Sequence, residues 1–270
     1  MTIKGAQGPS RAGLLLTLGV LAWAGAAQAQ SLDEIIEAAV AATGGRDAIA
    51  QIETVRHTGS FTMGTDFGPI EGSLEIVIIP NQKMYQALIS DLFSQRSAWD
   101  GTAAWQSDSF TGTVELTGAA AANLRNQTAL DGFQAYQNPV FPDAEYAKAD
   151  DEQVDGRDHF VLEISVSGIP YRYFIDKETH LVTLLTLEMD VPEVGGLIEV
   201  TVRPSEYETF EGLLMARRTQ LSIPGIYDLD MRISETVINE PVDQAIFANP
   251  VPKSSVSAMI QTPASGPLSP

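Results

Sequence analysis

The chain of 270 residues contains no cysteine and only three histidines. Without thiols there is no disulfide, no thiolate nucleophile and no cysteine-based metal site, so stability has to come from packing. The histidines, His57, His159 and His180, are too scattered to form a sequence-local metal site. His159 and His180 fall at a strand start and a turn and read as surface residues, whereas alternation places His57 on an apolar face. Positive charge is scarce too. Sixteen Lys and Arg stand against 35 Asp and Glu, a net charge of -19, which makes nucleic acid and anionic membrane surfaces poor partners. Basic proteins or neutral apolar ligands remain. The motifs of common enzymes are missing as well: there is no His-Glu-x-x-His, no Gly-x-Ser-x-Gly, no P-loop and no dinucleotide fingerprint. With so many acids, no carboxylate pair is a specific catalytic signal. The residues therefore point to no enzyme, no cofactor and no metal.

Long apolar runs are confined to the N-terminus. Lys4 and Arg11 precede "AGLLLTLGVLAWAGA", and Ala27-Gln28-Ala29 has the small-x-small form of a signal-peptidase site. The apolar part is shorter than the roughly 20 residues that span a bilayer. Residues 1–29 are therefore expected to be a signal peptide cleaved near Ala29, and the absence of a nearby cysteine leaves no lipid anchor, so the exported product is expected to be soluble. Residues 30–248 form one expected domain, and 249–270, rich in Pro and Ser, an expected disordered tail.

Within the domain, Ser31 and Glu34 compose a capping box. They open a short helix that runs to Gly44-Gly45, a pair suited to a left-handed C-cap, and a second short helix follows over Arg46 to Ile52. The period then changes to two. In "TVRHTGSFTM" Val55, His57, Phe61 and Met63 share one face, and in "GSLEIVIIP" Leu74, Ile76 and Ile78 do. Further strands are predicted over "KMYQALI", Phe93 to Trp99, Thr102 to Ser107, Glu145 to Val154, Phe160 to Val166, Tyr171 to Ile175, Leu181 to Met189, Leu197 to Val202, Leu213 to Leu221 and Tyr227 to Ile233. Asp100-Gly101 and Asp155-Gly156 mark hairpin turns. "DEQVDGRDHFVL" faintly resembles a calcium loop, but its twelfth position is Leu162 rather than Glu, so a hairpin is the better account. Between the two strand series, "GAAAANLRNQTALDGFQAYQ" offers a helical stripe of Leu124, Leu130, Phe133 and Tyr136. Its Asn126-Gln127-Thr128 sequon carries no weight in a bacterial-looking chain. The fold class is mainly β (α+β): an incomplete antiparallel β-barrel of about ten or eleven strands with covering helices.

The helix ending in "ATGG", the strand and turn "IIPNQKMYQ", the "DGTAAW" hairpin at Asp100 to Trp105, the intervening helix and "FIDKETHLV" at Phe174 to Val182 occur in an order and spacing that resembles the LolA/LolB-like lipoprotein carriers, over roughly Ser31 to Ile238. The resemblance implies a periplasmic protein whose barrel is covered by helices and holds acyl chains of lipoproteins or phospholipids, loaded or received by membrane-protein partners. One position departs from the family pattern. The residue before the Pro-Asn turn, an arginine tied to ligand transfer in the carrier, is Ile79 here, which turns the expectation from a true shuttle towards a related lipid binder or sensor.

Trp99 and Trp105 bracket the Asp100-Gly101 turn, and their register decides whether they share a face. Phe61, Met63, Leu74, Ile76, Ile78, Trp99 and Trp105 are the expected cavity wall of a monomeric acyl-chain carrier. The same residues would be plain core if the barrel is filled, and the protein would then be an interaction or sensor module without lipid cargo.

Overall fold

The computed structural model describes residues 30–65, 67–130, 144–191 and 196–250. The expected leader 1–29, positions 133 and 136 of the expected helical stripe, and residues 251–270 of the expected tail lie outside them.

Helix α1 spans Leu32–Ala42 and α2 Arg46–Ala50. The capping box forms as expected: the Ser31 N–H donates to Glu34 Oε2 at 2.8 Å, and the Glu34 N–H donates back to Ser31 Oγ at 3.3 Å. The hydroxyl and backbone bonds hold the Glu34 carboxyl below the usual carboxylate range. Gly44 and Gly45, at φ 123° and 89°, end α1 in a conformation that other residues rarely adopt.

Fourteen strands follow among the described residues. They are β1 Val55–Gly64, β2 Ile70–Ile79, β3 Lys83–Ser90, β4 Ser94–Trp99, β5 Ala104–Asp108 and β6 Gly112–Leu116, then helix α3 Gly118–Leu130, then β7 Glu145–Lys148, β8 Glu152–Val154, β9 Arg157–Val166, β10 Ile169–Asp176, β11 Val182–Val191, β12 Gly196–Phe210, β13 Leu213–Ile223 and β14 Tyr227–Ile238. A 3-10 turn, Gln244–Phe247, closes the described chain. The sheet is antiparallel and open, in the order β6-β5-β4-β3-β2-β1-β14-β13-β12-β11-β10-β9-β7, with β8 beside β9. The sheet exceeds the expected ten or eleven strands, and the twelve stretches named above become fourteen for local reasons. β6 follows the Asp108 turn with little alternation to betray it, and the segment expected as one strand at Glu145 to Val154 breaks into β7 and β8.

The three α-helices of the described residues lie on one face of the sheet, here the inner face. Ile35, Ala39 and Val40 of α1 pack with Leu162, Ile164, Tyr173, Val200 and Met215 in the largest core. Helix α3 supplies Leu124 and Ala121 against β2 to β6, while its polar side reaches the opposite flank of the sheet. Asn126, fully buried, donates to the Val166 carbonyl at 3.2 Å and to Tyr171 Oη at 3.3 Å, and Arg125 bonds Ser167. One short helix thus ties strands near β6 to the β9–β10 turn and covers the gap that the open sheet leaves. A residue 0% exposed cannot be a glycan acceptor, which accounts for the sequon.

The outer face carries two smaller cores. The segment Ala149 to Val154 folds over Val161, Phe174 and Leu184. This cover corrects the surface assignment of His159, which is 1% exposed and bonds the Arg157 carbonyl at 2.9 Å and Thr183 Oγ1 at 2.7 Å. The Asp155-Gly156 pair makes the β8–β9 hairpin with φ of 52° and 80°.

Candidate functional site

Cross-strand register fixes what each expected wall residue faces. Ile76 lies opposite His57 on β1 and Gln86 on β3, Ile78 opposite Val55 and Met84, and Met84 opposite Trp99. Because side chains alternate along a strand, Phe61, Met63, Leu74, Ile76, Ile78 and Trp99 all stand on the inner face. Phe61, Leu74 and Ile78 are 1%, 2% and 5% exposed, while Met63, Ile76 and Trp99 are half-buried. Phe61 stacks obliquely on Phe93 with ring centroids 5.8 Å apart. Leu124 of the expected helical stripe joins this surface, and Met84, Leu88, Ala104 and Leu116, which were not singled out from the sequence, complete it. The alternation of "KMYQALI" alone could have found Met84 and Leu88.

Trp105 stands apart from the rest of the expected wall. It pairs with Ala98, and Trp99 with Ala104, so the two indoles project to opposite faces. Trp105 is packed with Val77, Tyr85, Ala87, Ala98 and Phe247, and its Nε1–H donates to the Phe247 carbonyl at 2.8 Å. The hairpin between them has four residues, Asp100 to Ala103, with Asp100 Oδ1 accepting from the Thr102 and Ala103 N–H groups at 2.8 Å each. Ile79 shares this outer core, so the position occupied by arginine in the carrier is a packing residue here.

His57 is the titratable group of the inner wall. It bonds Thr236 Oγ1 through Nδ1 at 2.9 Å, and burial pushes its pKa down to about 4. A depressed histidine stabilises the fold above the ordinary value of 6.5 and loses that contribution as pH falls towards 4, because the unfolded chain takes up the proton first. The loss is at most about 3 kcal/mol. We expect the wild-type urea midpoint to fall between pH 6.5 and 4.5 and the decline to flatten in His57→Gln. A midpoint constant over that window in the wild type would remove His57 as its cause.

A groove of about 540 Å³ adjoins this wall at Ile233. It opens where β13 and β14 stop pairing beyond Arg218 and Arg232, and it is lined by Ser60, Glu206, Glu208, Arg217, Arg232 and Ile233 among others. Its charges are matched internally: Arg217 pairs with Glu208 at 2.7 Å and donates to the Ile233 carbonyl at 2.9 Å, and Arg232 pairs with Glu206 at 3.1 Å. Apart from Tyr207 and Ile233 this lining is polar or charged, a poorer seat for an apolar chain than the inner face. The apolar inner face under α3 is therefore the candidate site. Among the described residues no three His, Asp or Glu groups are placed to hold a metal ion, and no helix is long and apolar enough to cross a membrane.

Compared by structure, the chain is similar to a LolA superfamily protein from Nitrosomonas europaea, at TM-score 0.54 and 13% identity over 81% of this chain and 98% of that one. The fold is LolA-like. It is also similar to an outer membrane lipoprotein-sorting protein domain from Vibrio parahaemolyticus, at TM-score 0.50 and 12% identity over 83% and 96% of the two chains. A DUF1329 family protein from Desulfovibrio piger aligns at TM-score 0.53 and 13% identity, over 80% and 96%. Compared by sequence, the chain matches no protein-family model and no curated protein. The LolA-like likeness is thus one of backbone, distant in sequence.

Proposed function

We propose that this protein binds or carries lipid acyl chains in the periplasm without catalysis, reached by a signal peptide cleaved near Ala29, and that it works as a monomer whose cargo is an acylated lipoprotein or a phospholipid exchanged with membrane-protein partners. The observation that carries the reading is the row of apolar side chains on the inner face, Phe61, Met63, Leu74, Ile76, Ile78 and Trp99, interrupted by His57 and Gln86 and lying beneath α3 at its Ile76, Ile78 and Trp99 end. Helix α3 is built from "GAAAANLRNQTAL", and among its described side chains Ala121 and Leu124 lie over Ile76, Ile78, Met84 and Trp99. A cover with so little apolar area is readily exchanged for an acyl chain, each methylene of which gains about 0.8 kcal/mol on burial. The outer-face position of Ile79 favours a lipid binder over the arginine-dependent shuttle of the resembled carrier. In a LolA-like fold this wall consists of Phe61, Met63, Leu74, Ile76, Ile78 and Trp99, with Trp105 supporting it from behind.

A second reading rests on Phe61, Leu74, Leu88 and Leu229, all at most 5% exposed in a cluster that includes no helix residue. A barrel filled by its own side chains would serve as a protein-interaction or sensor module. Native mass spectrometry of protein taken from a periplasm without detergent separates the two. A stoichiometric lipid or acylated peptide, lost in Ile76→Glu and in the milder Met63→Gln while the thermal midpoint shows both variants folded, supports the carrier. A clean apo mass, unchanged after incubation with phospholipid, supports the filled module.

A further inference from the structure

The large hydrophobic side chains that stand exposed among the described residues are Phe67, Ile89, Leu92, Phe110, Val114 and Ile226. Their distribution follows the sheet order. Phe67 is in the β1–β2 turn, Leu92 in the β3–β4 turn, Phe110 in the β5–β6 turn and Ile226 in the β13–β14 turn. In an antiparallel sheet alternate turns fall at the same end, and the pairing of Gly64 with Asp228 brings the β13–β14 turn beside the β1–β2 turn. Four hairpin tips along one rim therefore each hold up an apolar residue, with Ile89 and Val114 on strands leading to them. The turns of the opposite end, Pro80 to Gln82, Asp100 to Ala103, Lys177 to His180 and Glu211-Gly212, hold none of these side chains.

We propose that this rim docks the protein on an uncharged or zwitterionic lipid bilayer, with Phe67, Leu92 and Phe110 inserted among the headgroups. Three properties favour lipid as the occupant. The tips are separate points rather than one surface: Phe67, Phe110 and Leu92 are 102%, 81% and 68% exposed, so none is shielded by the next. A fluid interface accepts isolated side chains one at a time, whereas a protein partner needs a contiguous packed core. Second, the backbone donors of the tips are satisfied from within. The N–H groups of Phe67, Leu92, Phe110 and Ile226 donate to Thr65 Oγ1, Ser90 Oγ, Asp108 Oδ1 and the Ile223 carbonyl at 3.3, 3.2, 2.8 and 3.0 Å. A segment that enters a lipid interface must bring few unpaired polar groups with it. Third, the tip segments contain Asp66, Asp91 and Asp108 and no Lys or Arg, which selects against anionic lipid and removes any need for salt-sensitive attraction. Docking here is independent of whether the inner face holds cargo.

The test is flotation of the exported chain, beginning at Gln30, with phosphatidylcholine and phosphatidylethanolamine vesicles. The wild type is expected to float, with little change between 0.1 and 0.5 M salt as an experimental range, and less when phosphatidylglycerol is added. The variant Phe67→Ser/Leu92→Ser/Phe110→Ser is expected to lose at least about tenfold in partitioning, with a little-changed thermal midpoint because these side chains are mostly exposed. Ile76→Glu, the cargo-site variant, keeps its flotation, which separates this inference from the acyl-carrier reading. Failure of the wild type to float, or equal flotation of the triple variant, overturns the proposal, the former leaving the tips to a protein partner.

Discussion

Gly59→Ala is expected to destabilise the domain by at least about 4 kcal/mol, near the limit of what a small domain tolerates. A Cβ at Gly59 would lie 1.9 Å from the Arg232 carbonyl oxygen, 2.9 Å from its carbon and 3.0 Å from the Ile233 Cα. All three are backbone atoms of β14, so no rotamer change relieves the overlap. The close approach has a purpose. The β1–β14 register shifts between Thr58 and Gly59, with Thr58 opposite Glu235 and Gly59 opposite Ile233, leaving Ser234 as the extra residue of a bulge. A glycine facing a bulge is how a sheet turns a tight corner. Gly72 does the same on β2: its Cβ would meet the Ile89 carbonyl oxygen at 2.3 Å and the Phe61 ring at 2.6 Å, so Phe61, paired across from Gly72, fills the space that the glycine leaves. Gly64 supplies the control, since a Cβ there sits in ordinary contact at 3.8 Å from the Asp228 carbonyl oxygen. Urea unfolding of Gly59→Ala, Gly72→Ala and Gly64→Ala should rank the first two far below the third. A Gly59→Ala midpoint equal to that of Gly64→Ala would show that the corner yields without cost.

The legible part of this fold was the part with strict period. Alternation in "TVRHTGSFTM" and "GSLEIVIIP" placed Phe61, Met63, Leu74, Ile76 and Ile78 on one face, and cross-strand register does bring them together. The Ser31 to Glu34 cap and the Asp155-Gly156 hairpin were equally readable, because each depends on residues within four positions of one another. What escaped depends on distant partners. Trp99 and Trp105 are six positions apart, an even spacing that would set them on one face of an unbroken strand, but the four-residue Asp100 to Ala103 turn resets the alternation. His159 reads as a strand-start surface residue until Ala149 to Val154 folds across it. The glycines at 59 and 72 interrupt apolar alternation, a local signal of a bend, yet only the β14 and β3 backbones give that signal its cause.

The closure of the barrel was the least legible feature, since it rests on polar atoms. Helix α3 has few apolar residues with which to announce a docking face, and its hold on β9 and β10 comes through the amide of Asn126 and the hydroxyl of Tyr171, whose pKa burial pushes up. Buried polar bonds of this kind are costly to leave half-made, so they fix where the helix lies while its alanines keep the apolar contact light. Position and grip are thus set by different sides of one helix. That division lets the inner face be covered in a defined geometry without being sealed by a large apolar surface.

The outer face shows the opposite arrangement, and a second large effect follows from it. Phe247 is 1% exposed, its carbonyl accepts the Trp105 Nε1–H, and Lys83 Nζ lies 5.6 Å from its ring centroid while bonding Gln244 Oε1 at 2.9 Å. Phe247→Ala is expected to cost about 3 to 5 kcal/mol, the range for deleting a buried aromatic ring. Trp105→Phe keeps most of the apolar area but leaves the Phe247 carbonyl without its donor, at about 1 to 3 kcal/mol. If the Gln244–Phe247 turn is a true part of the core, Trp105→Phe and Phe247→Ala will be non-additive, with a coupling above about 0.5 kcal/mol in a double-mutant cycle. Fluorescence reports the same event. Only Trp99 and Trp105 remain once the leader with Trp23 is removed, and uncovering Trp105 should shift emission to the red in Phe247→Ala before global unfolding. Strict additivity, or emission unaltered in that variant, would mean that the last turn rests on the sheet without helping to hold β3, β4 and β5 together.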